Sequence, residues 1–266
     1  MKLIDIFWNG MDLVALCILV ALPIIIWLIS LLISVLDKLN RKLQKLFNNT
    51  KGDKMKIIKP TFIIQSQVDG DYILKQIELA GRTAYKSEDK ITDNSAKLFV
   101  RTILNRGHLS VFEHQFVTVR VICDRGVSHE IVRHRLASYT QESTRYCNYT
   151  KGKFGSEITV IEPCFWSQND DKYKVWKQAI EQIETSYNKL IELGATPQEA
   201  RSVLPNSLKT EIVMTMNLRE WRHFFTLRTS QAAHPQMREI AIPLLKEFQK
   251  LIPIIFDDII SEGGEK

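Results

Sequence analysis

The chain has 266 residues, 45% of them hydrophobic, so one large domain with a sizeable core, alone or with an appendage, is expected. Its net charge is +6, from 36 basic and 30 acidic residues. Seven of the basic and four of the acidic residues precede Met55, so 29 and 26 remain, a net charge of +3. That excess is too small for a general nucleic-acid-binding surface, and no nucleic-acid partner is expected.

The first 54 residues form a separate region with its own charge pattern. Residues 13–36 contain no charged residue, and 24 residues of α-helix extend about 36 Å, enough to cross a bilayer. A basic cluster follows at once, formed by Lys38, Arg41, Lys42 and Lys45. The positive-inside rule then predicts a transmembrane helix that anchors a cytoplasmic C-terminal domain.

Met55 offers an alternative interpretation of the same region. It opens the segment Met-Lys-Ile-Ile-Lys-Pro, a natural start for a soluble enzyme, in which case residues 1–54 are an upstream extension that the working protein lacks. The sequence alone does not choose between an anchor and an extension. Both interpretations predict the same division, with an N-terminal extension over 1–54 and a main domain over 55–266.

From residue 55 onward the sequence predicts one compact α+β domain, with a central, mostly antiparallel sheet flanked by helices. Its first half predicts a strand over 57–64, a helix over 71–80 ending at Gly81, and a helix capped by Asp93 and running to Arg106. A half-buried strand over 115–123 follows, then a helix from Asp124 to about Leu136 and a polar loop to about Gly155. Its second half predicts a helix over 170–193, a short helix after the capping box Thr196-Pro197-Gln198-Glu199, and a strand over 208–216. The segment Asn217-Leu218-Arg219-Glu220 resembles a second cap and opens a helix over 217–229, and a last helix covers 235–251.

The densest group of hydrogen-bond donors runs from Arg133 to Tyr146, as Arg-His-Arg-Leu-Ala-Ser-Tyr-Thr-Gln-Glu-Ser-Thr-Arg-Tyr. Arginines are costly to order unless their planar forks meet carboxylate or phosphate, so an anion pocket for a nucleotide is favoured over a solvated loop. Arg201 follows downstream, then Arg219 and Arg228 on one predicted helix. Nine residues correspond to two and a half turns, so these last two face roughly opposite sides and could serve different ligands.

Arg133-His134-Arg135, followed after seven residues by Ser143, resembles the signature of the flavin-dependent thymidylate synthases, the ThyX family. Three further blocks resemble family elements in the same order. They are Gly-His-Leu-Ser-Val-Phe-Glu-His over 107–114, Glu-Ala-Arg-Ser-Val-Leu-Pro over 199–205, and Asn217-Leu218-Arg219 with His223 and Leu227-Arg228. The resemblance spans residues 56 to about 250, and residues 1–54 match nothing in the family.

The resemblance implies a methyltransferase that makes dTMP from dUMP without a cysteine nucleophile. Methylenetetrahydrofolate would supply the carbon, NADPH would reduce FAD, and reduced FAD would supply the hydride. The family's enzymes are homotetramers with FAD at subunit interfaces.

The resemblance also assigns roles to single residues. His108 would lie near the flavin, and Arg228 would stabilise negative charge on the uracil, as an oxyanion hole does. The residues implied to hold FAD are Ser110, Arg133, His134, Arg135, Gln141, Asn217, Arg219 and His223. Those implied to hold dUMP are Glu130, Arg133, Gln141, Glu142, Ser143, Thr144, Arg145, Arg201 and Arg228. Gln141 stands where many members have Glu, and His223 where others have Asn.

A cysteine-dependent synthase is the first alternative. Its nucleophile lies in a Pro-Cys-His context, whereas this chain has Pro163-Cys164-Phe165 with no obvious activating base. No pair among the four cysteines has Cys-x-x-Cys spacing, so neither a zinc ribbon nor a redox pair is indicated. A structural role is therefore expected for Cys164.

Two further alternatives are a zinc hydrolase and a binding module. His129 and His134 are one residue too far apart for a His-Glu-x-x-His site, which leaves their imidazoles about 140° apart on a helix, and Arg133 would repel a dication. No metal site is expected. A membrane-tethered module for anionic partners would leave the downstream arginines unexplained, and it would be colourless, whereas a flavoprotein is yellow.

Overall fold

The computed structural model describes residues 13–48, 55–149 and 157–260, which fall into two units divided between residues 52 and 53. In the first unit, helix α1 spans Leu13–Asn48 and contains Pro23. The side chains of residues 22–39 are all exposed, Trp27 by 62%. The stretch Leu22–Leu39 is long and apolar enough to cross a membrane. A helix is thus confirmed where the sequence predicted one, while the proposed division at residue 55 stays a prediction.

The second unit combines strands with helices. Its strands are β1 (Lys56–Ile58), β2 (Thr61–Ile64), β3 (Phe116–Asp124), β4 (Ala137–Gln141), β5 (Thr159–Ile161) and β6 (Lys209–Asn217). Its helices are α2 (Gly70–Thr83), α3 (Ser95–Asn105), α4 (Arg125–Ile131), α5 (Asp171–Glu192), α6 (Pro197–Ala200), α7 (Leu218–Arg228) and α8 (Pro235–Leu251). Short 3₁₀ turns cover Glu88–Lys90, Leu109–His114 and Arg201–Val203.

The central sheet has four antiparallel strands in the order β2-β3-β6-β4, and β1 pairs with β5 in a separate parallel pair. This confirms the predicted α+β class with a mostly antiparallel sheet. Alternate side chains of β3 and β6 are buried on one face, where the aromatic residues of α7 and α8 pack against each other. The other face is half-buried at best, so one side of the sheet remains open.

The segment after Ile131 differs from the prediction of a helix to Leu136 and a polar loop. Helix α4 ends at Ile131, and β4 then pairs with β6 from Ala137, opposite Met216, to Gln141, opposite Ile212. This strand contains few apolar residues. It lies at the edge of the sheet and is stabilised by pairing with a strand that is distant in the sequence, so it needs no hydrophobic pattern of its own. The Arg-His-Arg block therefore lies in the connection between a helix and an edge strand.

Three smaller predictions were also wrong. Pro60 lies between β1 and β2, so residues 57–64 form two strands of different sheets, as expected where proline interrupts a ladder. Helix α2 continues past Gly81, where an added Cβ would approach the Phe99 ring of α3 to 2.7 Å, so this glycine permits close helix packing. Helix α3 begins after Asn94 without a side-chain cap, and not after Asp93.

The predicted helix starts that position the site are confirmed, and side chains cap them. Asp124 accepts a hydrogen bond from the Val127 backbone at the start of α4, and Asn217 accepts one from the Glu220 backbone at the start of α7. Thr196 and Glu199 form the expected capping box. Gly107 adopts φ +69°, a left-handed conformation that ends the connection from α3 and directs the chain through His108 into the 3₁₀ turn that begins at Leu109.

Candidate functional site

His134 lies at the centre of a cluster of polar side chains, and it is 4% exposed. Its Nδ1 is 3.1 Å from Oε1 of Glu220, and its Nε2 accepts a hydrogen bond of 3.0 Å from Nε of Arg228. Its ring also packs against Phe224, with centroids 5.0 Å apart. Both ring nitrogens therefore already have partners within the chain.

Arg228 ends α7 and is held by α4 as well. Its Nη1 donates to Oε2 of Glu130, and its Nη2 donates to the Glu130 carbonyl oxygen, both at 3.0 Å. A guanidinium has five N–H donors, and three of them are used by His134 and Glu130. Two N–H groups remain for a ligand, so the side chain is fixed in direction and still able to bind.

Burial shapes the protonation of this cluster. Desolvation is the main cause that lowers the pKa of His134, and the charge of Arg228 lowers it further, while the Glu220 carboxylate opposes the shift. Desolvation also lowers the pKa of Arg228, but a guanidinium still stays charged. Burial raises the pKa of Tyr139 to about 12, so its hydroxyl is a stable donor to the carbonyl oxygens of Ile131 and His134.

A second group of predicted residues, His108, Ser110 and Arg219, lies around a separate cavity of about 1050 Å³ between α2, α3 and the 3₁₀ turn that follows His108. The basic residues that line it are Arg82, Lys90, Arg106, His108 and Arg219. No carboxylate occurs among its described lining residues, while Ser87, Ser95 and Ser110 add hydroxyl donors. This donor set suits a large anionic ligand with a phosphate or pyrophosphate group.

A smaller cavity of about 560 Å³ adjoins the same arginine. Asn217, Arg219, Glu220 and His223 line it, so it contacts the carboxylate that holds His134. Arg219 also pairs with Glu113, a residue of the 3₁₀ turn that lines this cavity. Arg219 and Arg228, at the two ends of α7, thus lie at different places in the structure, as their spacing predicted, and the ligands that they would bind stay predictions.

The polar strand and loop after residue 140 form a third group. Gln141 donates to Ser128 and Thr210, at 2.9 and 3.2 Å, and lines a cavity of about 720 Å³ on the open side of the sheet. Glu142 accepts hydrogen bonds from Lys209 at 2.8 Å and from the Tyr149 hydroxyl at 3.0 Å. Because the Glu142 carboxylate already binds Lys209 and Tyr149 within the chain, its predicted contact with a nucleotide is the least supported by the geometry.

Further along this loop, Thr144 is buried and accepts a hydrogen bond of 3.4 Å from Nη1 of Arg201, so the structure brings these predicted residues together. Ser143 Oγ accepts from the Arg145 backbone at 3.2 Å. Arg145 and Arg201 are exposed, as are Arg133 and Arg135. Within the described residues none of these four arginines has an ion-pair partner.

One geometric grouping could suggest a metal. His134, Glu220 and His223 place one potential ligand atom each within 4.8 Å of one another. The contact with Arg228 argues against a cation there. If Nδ1 of His134 bound a metal, the ring proton would sit on Nε2 and face the N–H of Arg228, and the guanidinium would add a nearby positive charge.

Comparisons with known proteins were decisive. The sequence model of the thymidylate synthase complementing proteins (Thy1) matches residues 71–254. A flavin-dependent thymidylate synthase of Geobacter sulfurreducens is 33% identical over 189 residues, which cover 68% of this chain and 80% of that protein. The chain belongs to this family. A further member, the flavin-dependent thymidylate synthase of Pyrococcus furiosus, is 36% identical over 171 residues, covering 64% of this chain and 69% of that protein.

Solved structures agree on the fold. The crystal structure of a UMP/dUMP methylase, PolB from Streptomyces cacaoi, bound with 5-Br dUMP has a TM-score of 0.63 and 24% identity, and the match covers 76% of this chain and 96% of that one. At this identity the similarity concerns the fold alone. Membership of the flavin-dependent thymidylate synthases makes this chain an enzyme of the methyl-transferring class, as the four sequence blocks predicted.

The structure adds residues that the sequence did not single out. Glu220 was interpreted only as part of a helix start, although its carboxylate contacts His134, 86 positions away. Arg82 and Lys90 line the cavity of His108 and Ser110, and Arg82 is held by the buried carboxylate of Glu78. No local pattern marks Glu220, because its partner is distant in the sequence, and the cavity that Arg82 and Lys90 line is formed with residues from other parts of the chain.

Proposed function

We propose that this flavin-dependent thymidylate synthase family member converts dUMP to dTMP. Methylenetetrahydrofolate would supply the carbon and NADPH the two electrons. The balance is dUMP, methylenetetrahydrofolate, NADPH and a proton giving dTMP, tetrahydrofolate and NADP⁺. Arg228 carries this proposal, since it is a half-buried guanidinium fixed by three internal hydrogen bonds and left with two free N–H donors.

The chemistry requires an arginine of this kind. For C5 of uracil to attack the methylene carbon, negative charge must develop on the ring oxygens, and donors fixed in advance stabilise that charge most effectively. Arg228 would face the pyrimidine. Arg133, Arg145 and Arg201, which lack carboxylate partners in the described chain, would neutralise the phosphate together with Ser143 and Thr144.

FAD is the cofactor implied by the family, and the larger cavity fits it by the chemistry of its donors. When bound, FAD supplies the hydride that completes the methyl group. Ser110 and Arg219, with the unpredicted Arg82 and Lys90, would hold its phosphates, and His108 would lie close by. Asn217 and His223 of the adjoining cavity would contact it from the other side of Arg219. The roles of Arg135 and Gln141 toward FAD stay predictions.

The chain need not use a thiolate. A nucleophilic cysteine requires a lowered pKa, whereas burial raises the pKa of Cys164, and the neighbouring Glu239 raises it further. Cys123 is fully buried, and burial raises its pKa as well. These directions support a mechanism in which no cysteine forms a bond to the substrate.

Product analysis tests the reaction. With purified protein, dTMP formation and NADPH oxidation are expected to stop when either dUMP or methylenetetrahydrofolate is omitted. Oxidation of NADPH with no dTMP in the complete mixture would show a flavin reductase of another kind. A product other than dTMP would overturn the proposed substrate.

The assembly proposed is a homotetramer with FAD at subunit interfaces. Arg133, Arg135 and Arg145 are exposed and have no ion-pair partner in the described part of one chain, and one face of the sheet is open. A second copy of the chain could therefore contact these arginines and cover that face of the sheet. Light scattering of the purified protein would give the mass of four chains. A stable, active monomer would contradict the shared site.

Membrane attachment through residues 13–36 is the remaining proposal, with the catalytic domain in the cytoplasm. It is supported by a helix whose apolar side chains are exposed all round from residue 22 to residue 39 and by the basic residues after it. The full chain should pellet with membranes and resist carbonate extraction, while a chain starting at Met55 should be soluble and active. Full release of the full chain by carbonate would exclude a spanning helix.

A further inference from the structure

One face of α7 carries a row of three residues at intervals of four, Glu220, Phe224 and Arg228. Residues at this spacing lie above one another on a helix, and eight residues rise about 12 Å. His134 lies along this row, with one ring nitrogen near Glu220, its ring face near Phe224 and the other nitrogen near Arg228. The imidazole therefore connects the first turn of the helix with its last.

The partners determine where the imidazole proton must be. Arginine only donates hydrogen bonds, so Nε2 of His134, 3.0 Å from Nε of Arg228, must be the unprotonated acceptor. A neutral ring then carries its proton on Nδ1, where the carboxylate of Glu220 accepts it. An imidazolium would direct an N–H at the N–H of Arg228, which the geometry disfavours.

Glu220 is well placed to accept the Nδ1 proton of His134. It lies in the first turn of α7, whose N-terminus favours a negative charge. The groups that face His134 from other elements are Arg228 and His223 of α7, the Glu130 carboxylate through Arg228, and the Tyr139 hydroxyl at the His134 carbonyl oxygen. Among these described neighbours, Glu220 is the group that can accept the Nδ1 proton.

We propose that Glu220 is a positioning residue: by accepting the Nδ1 proton of His134, it fixes the acceptor that orients the Arg228 guanidinium toward the substrate. The proposal rests on the proposed function, because it gives a reason for the orientation of the arginine that faces uracil. It also assigns His134 a place behind Arg228, with both ring nitrogens used inside the chain. Glu130 fixes the same guanidinium from its other side.

The proton position can be measured without any turnover. In the flavin-loaded full chain labelled with ¹⁵N-histidine, long-range ¹H–¹⁵N spectra distinguish the two neutral tautomers from the imidazolium, and loss of the signal in His134→Gln assigns it. We expect His134 to be neutral at about pH 7.5 with its proton on Nδ1. A proton on Nε2, or an imidazolium, would overturn the proposal whatever the enzyme catalyses.

Variants then test the effect on chemistry. Glu220→Ala should lower kcat for dTMP formation by about 10-fold to 100-fold, the usual range for a residue that orients a reacting group, with a smaller effect on the KM for dUMP. Glu220→Gln keeps an oxygen acceptor and loses the charge, so it should stay within about five-fold of the parent. Asp258→Asn is the matched control, because Asp258 pairs with Arg222 of the same helix away from His134, and its kcat should be unchanged.

The outcomes separate the positioning role from the proposed function. If Glu220→Ala has the kcat of Asp258→Asn while Arg228→Ala is inactive, Glu220 does not position Arg228. If the parent protein makes no dTMP, the proposed function fails, and the tautomer of His134 still decides the structural claim. If Glu220→Ala does not fold, Glu220→Gln must keep the Nδ1 proton in the spectrum, and a change of tautomer there would count against the proposal.

Discussion

Two groups of arginines in this protein differ in how firmly the rest of the chain holds them. Arg228 is half-buried, and His134 and Glu130 fix its direction before any substrate arrives. Arg133, Arg135 and Arg145 are exposed, and none has a carboxylate partner in the described residues. Ordering a side chain costs conformational entropy, and for Arg228, the inner arginine, the contacts with His134 and Glu130 offset that cost during folding, whereas the outer arginines Arg133, Arg135 and Arg145 have no such carboxylate contact in the described residues.

This difference indicates which step, substrate binding or the chemical reaction, each group of arginines can assist. A donor fixed in advance can stabilise charge that appears during the reaction, because it needs no rearrangement at that moment. A mobile donor on the surface contributes Coulomb attraction and binding, which affect the substrate and the transition state alike. We therefore expect the inner arginine to control kcat and the outer arginines to control binding.

The largest effect is expected at the inner position. Arg228→Ala should bind FAD almost normally and lose about 10²–10³ in the rate of dTMP formation at saturating dUMP. Arg228→Lys should restore only part of the rate, because an ammonium lacks the planar fork that contacts His134 and Glu130 together. Flavin content is read from absorbance and the rate from product formation. Turnover near that of the parent would remove Arg228 from the active site.

The outer position should respond differently. Arg145→Ala should leave the free energy of unfolding within about 0.5 kcal/mol of the parent, because the side chain is exposed. The KM for dUMP should rise about 10-fold or more, as expected for loss of a charge-assisted hydrogen bond to phosphate, with little change in kcat. A pure loss of kcat would place Arg145 with Arg228 and erase the distinction between the groups.

A third effect is expected in the pH dependence of stability. The pKa of His134 is lowered in the folded chain, mainly by burial, so below about pH 6.5 the unfolded chain binds a proton that the folded chain does not. Stability should therefore fall as the pH decreases from about 6.5 toward the folded pKa. Melting temperatures from about pH 8 to pH 5.5 should decline less steeply in His134→Gln, and equal slopes would contradict a buried neutral imidazole.

The smallest effect is expected at Cys164. Its pKa is raised, so little thiolate is present, and no arginine of either group depends on it. Cys164→Ala should keep most of the activity in the folded, flavin-loaded protein. A loss of turnover beyond about 100-fold would revive a covalent mechanism through the sulfur.

The sequence predicted the fold class and the family because those depend on local signals. Alternation in β3, the caps at Asp124 and Asn217, and the capping box at Thr196 are each contained within a few residues. Strand β4 was missed because its stability comes from pairing with β6, about 75 residues away, and not from its own composition.

The site was predictable only in part for a similar reason. The arginines and His134 could be selected from a motif, but the direction of each side chain depends on partners elsewhere in the chain. Glu220 contacts His134 only through the tertiary packing of α7 against the connection after α4. The motif therefore selected candidate residues, and the tertiary contacts separated the fixed arginine from the exposed ones.

Dependence on flavin tests the central claim most directly. The purified protein is stripped of FAD, divided, and assayed for dTMP with dUMP, methylenetetrahydrofolate and NADPH, before and after FAD is restored. We expect no dTMP from the stripped protein and recovery of product formation in the reconstituted half. If the stripped protein forms dTMP at the rate of the reconstituted protein, the flavin-dependent account is wrong.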